Sequence, residues 1–213
     1  MKIKRYICNP FRENTYLVCD ESTRQAILID PGFYTEDEFR KMASFVRENN
    51  YVISRILNTH LHLDHCIGNG FAQKTFGIEA ECGQGDLSLA EHAENQARMF
   101  GLEISCKIPI PRNFLKENDE IHVGNILLKV LEVPGHSPGS LAFYSPEGFI
   151  FSGDVVFAGG DCGRTDLPGG DEKTLMDSIC RKLFLLPKET RIFCGHGPDT
   201  TIARELAVWK SRM

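Results

Sequence analysis

Short apolar runs alternate with helical stripes along this chain. Thr15-Tyr16-Leu17-Val18-Cys19 and Ala26-Ile27-Leu28-Ile29 are β-rich runs separated by the turn-like cluster Asp20-Glu21-Ser22-Thr23, which predicts a hairpin. Asp30-Pro31-Gly32 ends the second run. A helix is predicted from Thr35 to Asn49, with Thr35 as N-cap and Glu38 as its capping-box partner. Phe39, Met42, Phe45 and Val46 give that helix one apolar stripe.

A strand follows from Ile53 to Leu57 and runs straight into Asn58-Thr59-His60. Helices are expected after His65 and from about Leu87 to Phe100. Ile121 to Val133 reads as two strands around Gly124-Asn125. Leu141–Tyr144 and Phe149–Ser152 read as a hairpin around Pro146-Glu147-Gly148. A helix from about Asp171 to Leu186, a strand from Arg191 to Cys194 and a closing helix from about Thr201 to Lys210 complete the pattern. Strands alternating with helices throughout predict an α/β layered fold. The length of 213 residues suits one well-buried domain spanning 1–213.

Composition adds exclusions. The formal net charge is −5 and no run of Lys or Arg suggests a nucleic-acid groove. No apolar stretch of about 7–15 residues follows the early lysines, and no window approaches the roughly 18 apolar residues of a membrane span. The expectation is a cytoplasmic protein with no nucleic-acid or membrane partner. Eight cysteines, at positions 8, 19, 66, 82, 106, 162, 180 and 194, form no CxxC pair and are read as reduced thiols, several of them small apolar fillers in strands.

The chemistry-bearing residues share one placement: each lies just past a predicted strand, where α/β sheets build sites. His60, His62 and His65 are three of the chain's seven histidines within six residues. His60 and His62 are two apart, so in an extended segment both face one cation. Asp64 and His65 follow at once and point to a second position; paired ions in hydrolases sit roughly 3.5–4 Å apart. His136 lies in Pro134-Gly135-His136-Ser137-Pro138-Gly139, Asp154 in Ser152-Gly153-Asp154, and His196 in Gly195-His196-Gly197-Pro198. Imidazole and carboxylate donors suit zinc, and equally iron or manganese. His92, on a helix, and His122, alternating in a strand, are read as solvent-facing.

These motifs resemble the metallo-β-lactamase superfamily, over nearly the whole chain. The resemblance implies a four-layer αββα sandwich with metals at one edge. Within it the chain is similar to short, single-domain glyoxalase II-like hydrolases, a likeness that extends to the segment from Cys162 to Asp171. It implies that His60, His62 and His136 bind one divalent metal, that Asp64, His65 and His196 bind a second, and that Asp154 bridges both. Zn²⁺ is the metal expected. Asp64 and Asp154 become the candidate catalytic residues, acting with a water that the two cations deprotonate for attack on a small-molecule thioester, such as S-lactoylglutathione, or an ester. No Gly-x-Ser-x-Gly elbow supplies a protein nucleophile.

Two departures bear on substrate. Only 17 residues follow His196, so the C-terminal helical domain that grips glutathione in classical glyoxalase II is not expected. The Lys and Tyr that hold glutathione in that family match Arg164 and Asp166. Arg164 is the candidate substrate-binding residue, with a loop salt bridge to Asp166 or Asp171 as the alternative. The Gly163–Asp166 stretch also resembles persulfide dioxygenases of the superfamily, which implies one iron on His60, His136 and Asp154. A lactone hydrolase is a further alternative. A metal store or interaction scaffold is the non-enzymatic one, against which the retention of all seven ligand-type residues argues.

Overall fold

A computed structural model describes residues 1–212; Met213, the end of the expected domain span, lies outside the described residues. Two six-stranded sheets carry the architecture. The first contains β1 (Lys2–Cys8), β2 (Glu13–Cys19), β3 (Gln25–Ile29), β4 (Val52–Leu57), β5 (Ala80–Gly83) and β6 (Asn113–Leu115), side by side in chain order. Its first three strands are antiparallel, and β3 to β6 are parallel. The second contains β7 (Glu120–Val123), β8 (Ile126–Glu132), β9 (Leu141–Ser145) and β10 (Phe149–Gly153), then, beyond a small hairpin of β11 (Val156–Phe157) and β12 (Asp161–Cys162), β13 (Arg191–Cys194) and β14 (Thr200–Thr201). Its order is β14-β13-β10-β9-β8-β7, with β10 and β13 parallel.

Three stacked apolar layers make the sandwich. Between the sheets, Tyr16, Val18, Ile27 and Ile29 meet Leu128, Val130, Phe143 and Phe151. The alternate residues Leu17, Cys19, Ala26 and Leu28 point outward, into α1 (Glu36–Glu48), across a short α2 (Leu63–Cys66), and α3 (Asn69–Phe76). A further cluster joins α2 and α4 (Leu87–Met99) to β5 through Leu63, Cys66, Cys82, Leu89 and Ala93. Behind the second sheet, Ala142, Ile150 and Ile192 pack on α5 (Glu172–Arg181) and α6 (Ile202–Arg212). Covering both faces explains why β2 and β10 are buried along their whole length. The expected αββα layering is present.

The Thr35–Glu38 capping box forms as the sequence predicts, with Glu38 N donating to Thr35 Oγ1 at 3.2 Å and Thr35 N donating to Glu38 Oε2 at 3.1 Å. The helix expected to reach Leu186 stops at Arg181. Lys182 leaves helical geometry, its Nζ donates to Glu132 O at 2.6 Å, and the following turn, Leu183–Leu185, drives Leu183 into the core. Six strands, β1, β5, β6, β11, β12 and β14, lacked a sequence expectation. β1 is a charged edge strand, whose lysines and arginine blur the apolar alternation, and β5 and β6 are too short to show a period. All eight cysteines are free; Cys19, Cys82 and Cys194 are buried strand fillers. No helix among the described residues is long and apolar enough to cross a membrane.

Away from the histidines, Asp20 clasps the sheets together. Its carboxylate accepts from Ser22 N and Oγ (2.9 and 2.6 Å) and Thr23 Oγ1 (2.9 Å) in the β2–β3 turn, and from Asn125 N (2.8 Å) in the β7–β8 turn. These donors hold the carboxyl far below its ordinary range, the Ser22 hydroxyl foremost. A depressed carboxylate pKa stabilises the fold above the ordinary value of about 3.9 and loses that contribution as pH falls through the folded-state value. Asp20→Asn is therefore expected to be less stable than wild type in urea at pH 7. The gap should close progressively below about pH 4.

Candidate metal centre

The seven residues singled out in the sequence converge at one edge of the sandwich. His60 and His62 follow β4 in extended backbone, with His62 at φ −63° and ψ 149°. Their rings lie 4.9 Å apart and both face His136, which arrives on the loop after β8. α2 begins immediately after His62, and its first turn rotates Asp64 and His65 away toward Asp154 and His196. Asp154 follows β10 and His196 follows β13, the parallel pair of the second sheet.

The donor atoms of these seven residues fall into three overlapping groups. His60, His62 and His136 form one, Asp64, His65 and His196 another, and His60, His65 and Asp154 lie between, with the ligand atoms in each group within 4.8 Å of one another. Asp154 Oδ2 is 3.6 Å from His136 Nε2 and 3.5 Å from His196 Nε2, and Asp154 Oδ1 is 3.3 Å from His65 Nε2. Asp154 thus touches both ends of the cluster.

The outer ring nitrogens reveal which atoms face inward. His136 Nδ1 donates to the Arg164 carbonyl at 2.7 Å. His65 Nδ1 donates to Asp30 Oδ2 at 3.0 Å. Thr59 Oγ1 spends its hydrogen on Asp30 at 2.6 Å and accepts from His60 Nδ1 at 3.1 Å. Each of these rings then turns Nε2 into the cluster. His60 Nε2 and Asp154 Oδ1 are buried without hydrogen-bond partners. Buried donors and acceptors are normally paired, so this donor set fits a cation.

Electrostatics agree. Burial, reinforced by the neighbouring rings, lowers His60 well below the usual imidazole range, and burial with His136 pushes His62 down to about 4. Burial also opposes charge on His65, but Asp154, Asp64 and Asp30 outweigh it and raise His65 well above the usual range. Asp64 and Asp154 are both lowered: burial opposes their charge, and His65 overcomes it. The space between the two aspartates is built for positive charge.

Three supporting residues, Asp30, Glu13 and Asp86, escaped the sequence reading. Asp30, read there only as a strand terminator, orients His65 and bonds Thr59 N at 2.6 Å. Glu13 is fully buried in a group with Asp30 and His65, and burial raises its carboxyl well above the usual range. Arg164 contributes its backbone carbonyl to His136, while its exposed guanidinium forms a two-point pair with Asp166 at 2.6 Å. Asp171, the other partner considered, instead caps α5 through Thr174 N at 2.7 Å. Asp86 accepts from Leu61 N at 3.0 Å, Ser137 Oγ at 2.8 Å and Gly139 N at 2.6 Å, joining the His60–His65 loop to the His136 loop. A strand-end aspartate beside Pro-Gly was the one signal available for Asp30. Gly163 and Gly195 admit no side chain: a Cβ on Gly163 would strike Asp154 O and His136, and one on Gly195 would strike Asp154 Oδ1 and His65. His92 and His122 are exposed, as expected.

Asp86→Ala strips three donors of their acceptor, two of them buried amides. The expected loss is about 3 kcal/mol or more of unfolding free energy, measured by chemical denaturation. A loss under about 1 kcal/mol would show that the two loops are held by other means.

Comparison with known proteins places the chain. Residues 8–196 match the family model of the metallo-β-lactamase superfamily. The probable metallo-hydrolase YqgX of Bacillus subtilis is 35% identical, the match covering 96% of this chain and 94% of that protein. The hydroxyacylglutathione hydrolase GloC of Haemophilus influenzae is also 35% identical, with 96% and 95% covered. The crystal structure of TTHA1623 in a di-iron-bound form superposes with a TM-score of 0.84 at 39% identity, over 96% of this chain and 98% of that one. By layering, by sequence and by the histidine–aspartate cluster at the sheet edge, the chain belongs to the metallo-β-lactamase superfamily of metallo-hydrolases.

Proposed function

We propose that the chain is a dinuclear metal-dependent hydrolase that cleaves a small-molecule thioester, with S-lactoylglutathione as the leading candidate. The observation that carries this reading is the set of buried, inward-facing donor atoms, above all the unpartnered His60 Nε2 and Asp154 Oδ1. His60, His62 and His136 would hold one divalent ion, Asp64, His65 and His196 the other, and Asp154 would touch both. Zn²⁺ suits these ligands, and Fe or Mn would serve. Two bound cations would supply a water of lowered pKa and would polarise the carbonyl.

The chain's own residues do the rest. Asp30 and the Arg164 carbonyl fix the tautomers of His65 and His136. Asp64 and Asp154 are ionised at neutral pH and accept hydrogen bonds from the attacking water, orienting it. His196, 26% exposed, is the most open residue of the cluster and marks where substrate enters. Water adds across the C–S bond, giving a carboxylic acid and a thiol. Arg164 is a candidate contact for a substrate carboxylate, which would compete with Asp166 for its guanidinium.

Purified protein is expected to hold about two metal ions per chain, in line with the paired sites of such hydrolases. In a panel of S-lactoylglutathione, glutathione persulfide, an acyl-homoserine lactone and a penicillin, it should turn over the thioester. His62→Ala should lose thioester hydrolysis and bound metal together. One iron per chain with oxygen uptake on the persulfide would instead identify a dioxygenase, and full hydrolysis without metal would refute the mechanism. Asp30→Ala should weaken metal affinity by about 10–100-fold, read by competition with a chelator.

A further inference from the structure

The β1–β2 turn is built more tightly than a surface turn requires. Asn9 (φ 50°) and Arg12 (φ 60°) both take the left-handed conformation, which is uncommon for a residue such as arginine. Asn9 Nδ2 donates to Gly32 O and to Asp64 O, both at 2.9 Å. Its Oδ1 accepts from Phe11 N at 3.0 Å, and its carbonyl accepts from Arg12 N at 3.1 Å. The turn is therefore tied to the loop that carries Asp64. What it presents outward is Phe11 and Arg12, both exposed. Strain held in place by surrounding bonds is characteristic of sites.

Beside this turn lies a cavity of about 440 Å³, lined by Arg5, Ile7, Phe11, Arg12, Asn14 and His196 among others. It opens on the one cluster residue that is a quarter exposed, His196. Its apolar wall is unusual for an open surface: Ile7 is 54% and Phe11 37% exposed, and Phe11 meets the exposed Phe100 edge-on at 5.2 Å. Its charge is cationic on an acidic protein. Arg5 Nη1 donates to Gly197 O at 3.0 Å and lies 3.8 Å from Asp199. Arg12 has no ion-pair partner among the described residues. On the other side of the centre, Arg164 is already neutralised by Asp166.

We propose that this cavity binds the anionic arm of the substrate. Resting on the thioesterase reading, this makes the substrate an acyl thioester bearing a carboxylate or phosphate. That group meets Arg12, with Arg5 behind it. An apolar stretch lies on Ile7 and Phe11, and the scissile carbonyl points past His196 into the cluster. Arg12 is a specificity residue, and it takes over the anion grip that Asp166 blunts at Arg164.

The test compares one acyl group on three thiols, using the metal-loaded enzyme: glutathione (carboxylates), 4′-phosphopantetheine (phosphate) and N-acetylcysteamine (neutral). Arg12→Gln should raise KM for an anionic thioester about tenfold, with kcat within about twofold and the neutral thioester unaffected, as expected for one lost charge-assisted contact. Arg12→Lys should recover most of the loss, and Arg164→Gln should cost less than Arg12→Gln. Whichever of the carboxylate and phosphate arms responds identifies the anion. Equal effects on neutral and anionic thioesters, or a larger loss from Arg164→Gln, would overturn the proposal. If wild type hydrolyses none of the three, the thioesterase reading falls. Calorimetry with S-methylglutathione and 4′-phosphopantetheine then decides the site alone: weaker binding to Arg12→Gln supports it, and unchanged binding of both overturns it.

Discussion

Asp86 is the point where a loop from each sheet is held by the same group. It lies in the turn after β5 of the first sheet, yet it bonds Leu61 N on one side and Ser137 Oγ and Gly139 N on the other. Burying a carboxylate is costly, and burial does push its pKa up; three directed donors offset that cost. The return is geometric. With the two loops joined, His62 Nδ1 and His136 Nε2 stand 2.8 Å apart although 74 residues separate them. Backbone bonds extend the seam: Leu141 N donates to Thr59 O at 2.7 Å and Asn14 N to Gly195 O at 2.8 Å.

Around that seam the charges are arranged in shells. The inner shell concentrates five imidazoles and two carboxylates where little water reaches. The shell behind it, Asp30, Thr59 and the Arg164 carbonyl, takes up the outward N–H groups. Each outward bond decides an inward lone pair, so the second layer sets the chemistry of the first. Gly163 and Gly195 let backbone come close enough for this to happen.

The rim is asymmetric. On the Arg164 side a guanidinium is exposed but already paired with Asp166. On the β1–β2 side apolar and cationic residues surround a cavity that leads to His196. Most of the cluster is closed off, with His60 and His65 essentially without exposure. On a chain of net charge −5, two arginines, Arg5 and Arg12, line that mouth.

Much of this was legible in the sequence. The hairpin of β2 and β3, the capped α1, and the seven clustered residues all declared themselves through local signals: period, capping pair, strand-end position. These depend on neighbours in the chain, and a linear reading captures them. β1 and the short β5 and β6 did not, because a charged edge strand and strands of three or four residues carry no readable period. Asp30, Glu13 and Asp86 were invisible for a different reason. An aspartate in a turn looks the same whether it faces solvent or a histidine brought from another part of the chain, and only packing decides which. The sequence by itself determined which residues could bind a cation and what sort of fold would carry them. The tertiary structure alone decided their tautomers, the charge between them, and the side on which the cluster is open, since those depend on distances that close only when the two sheets stack.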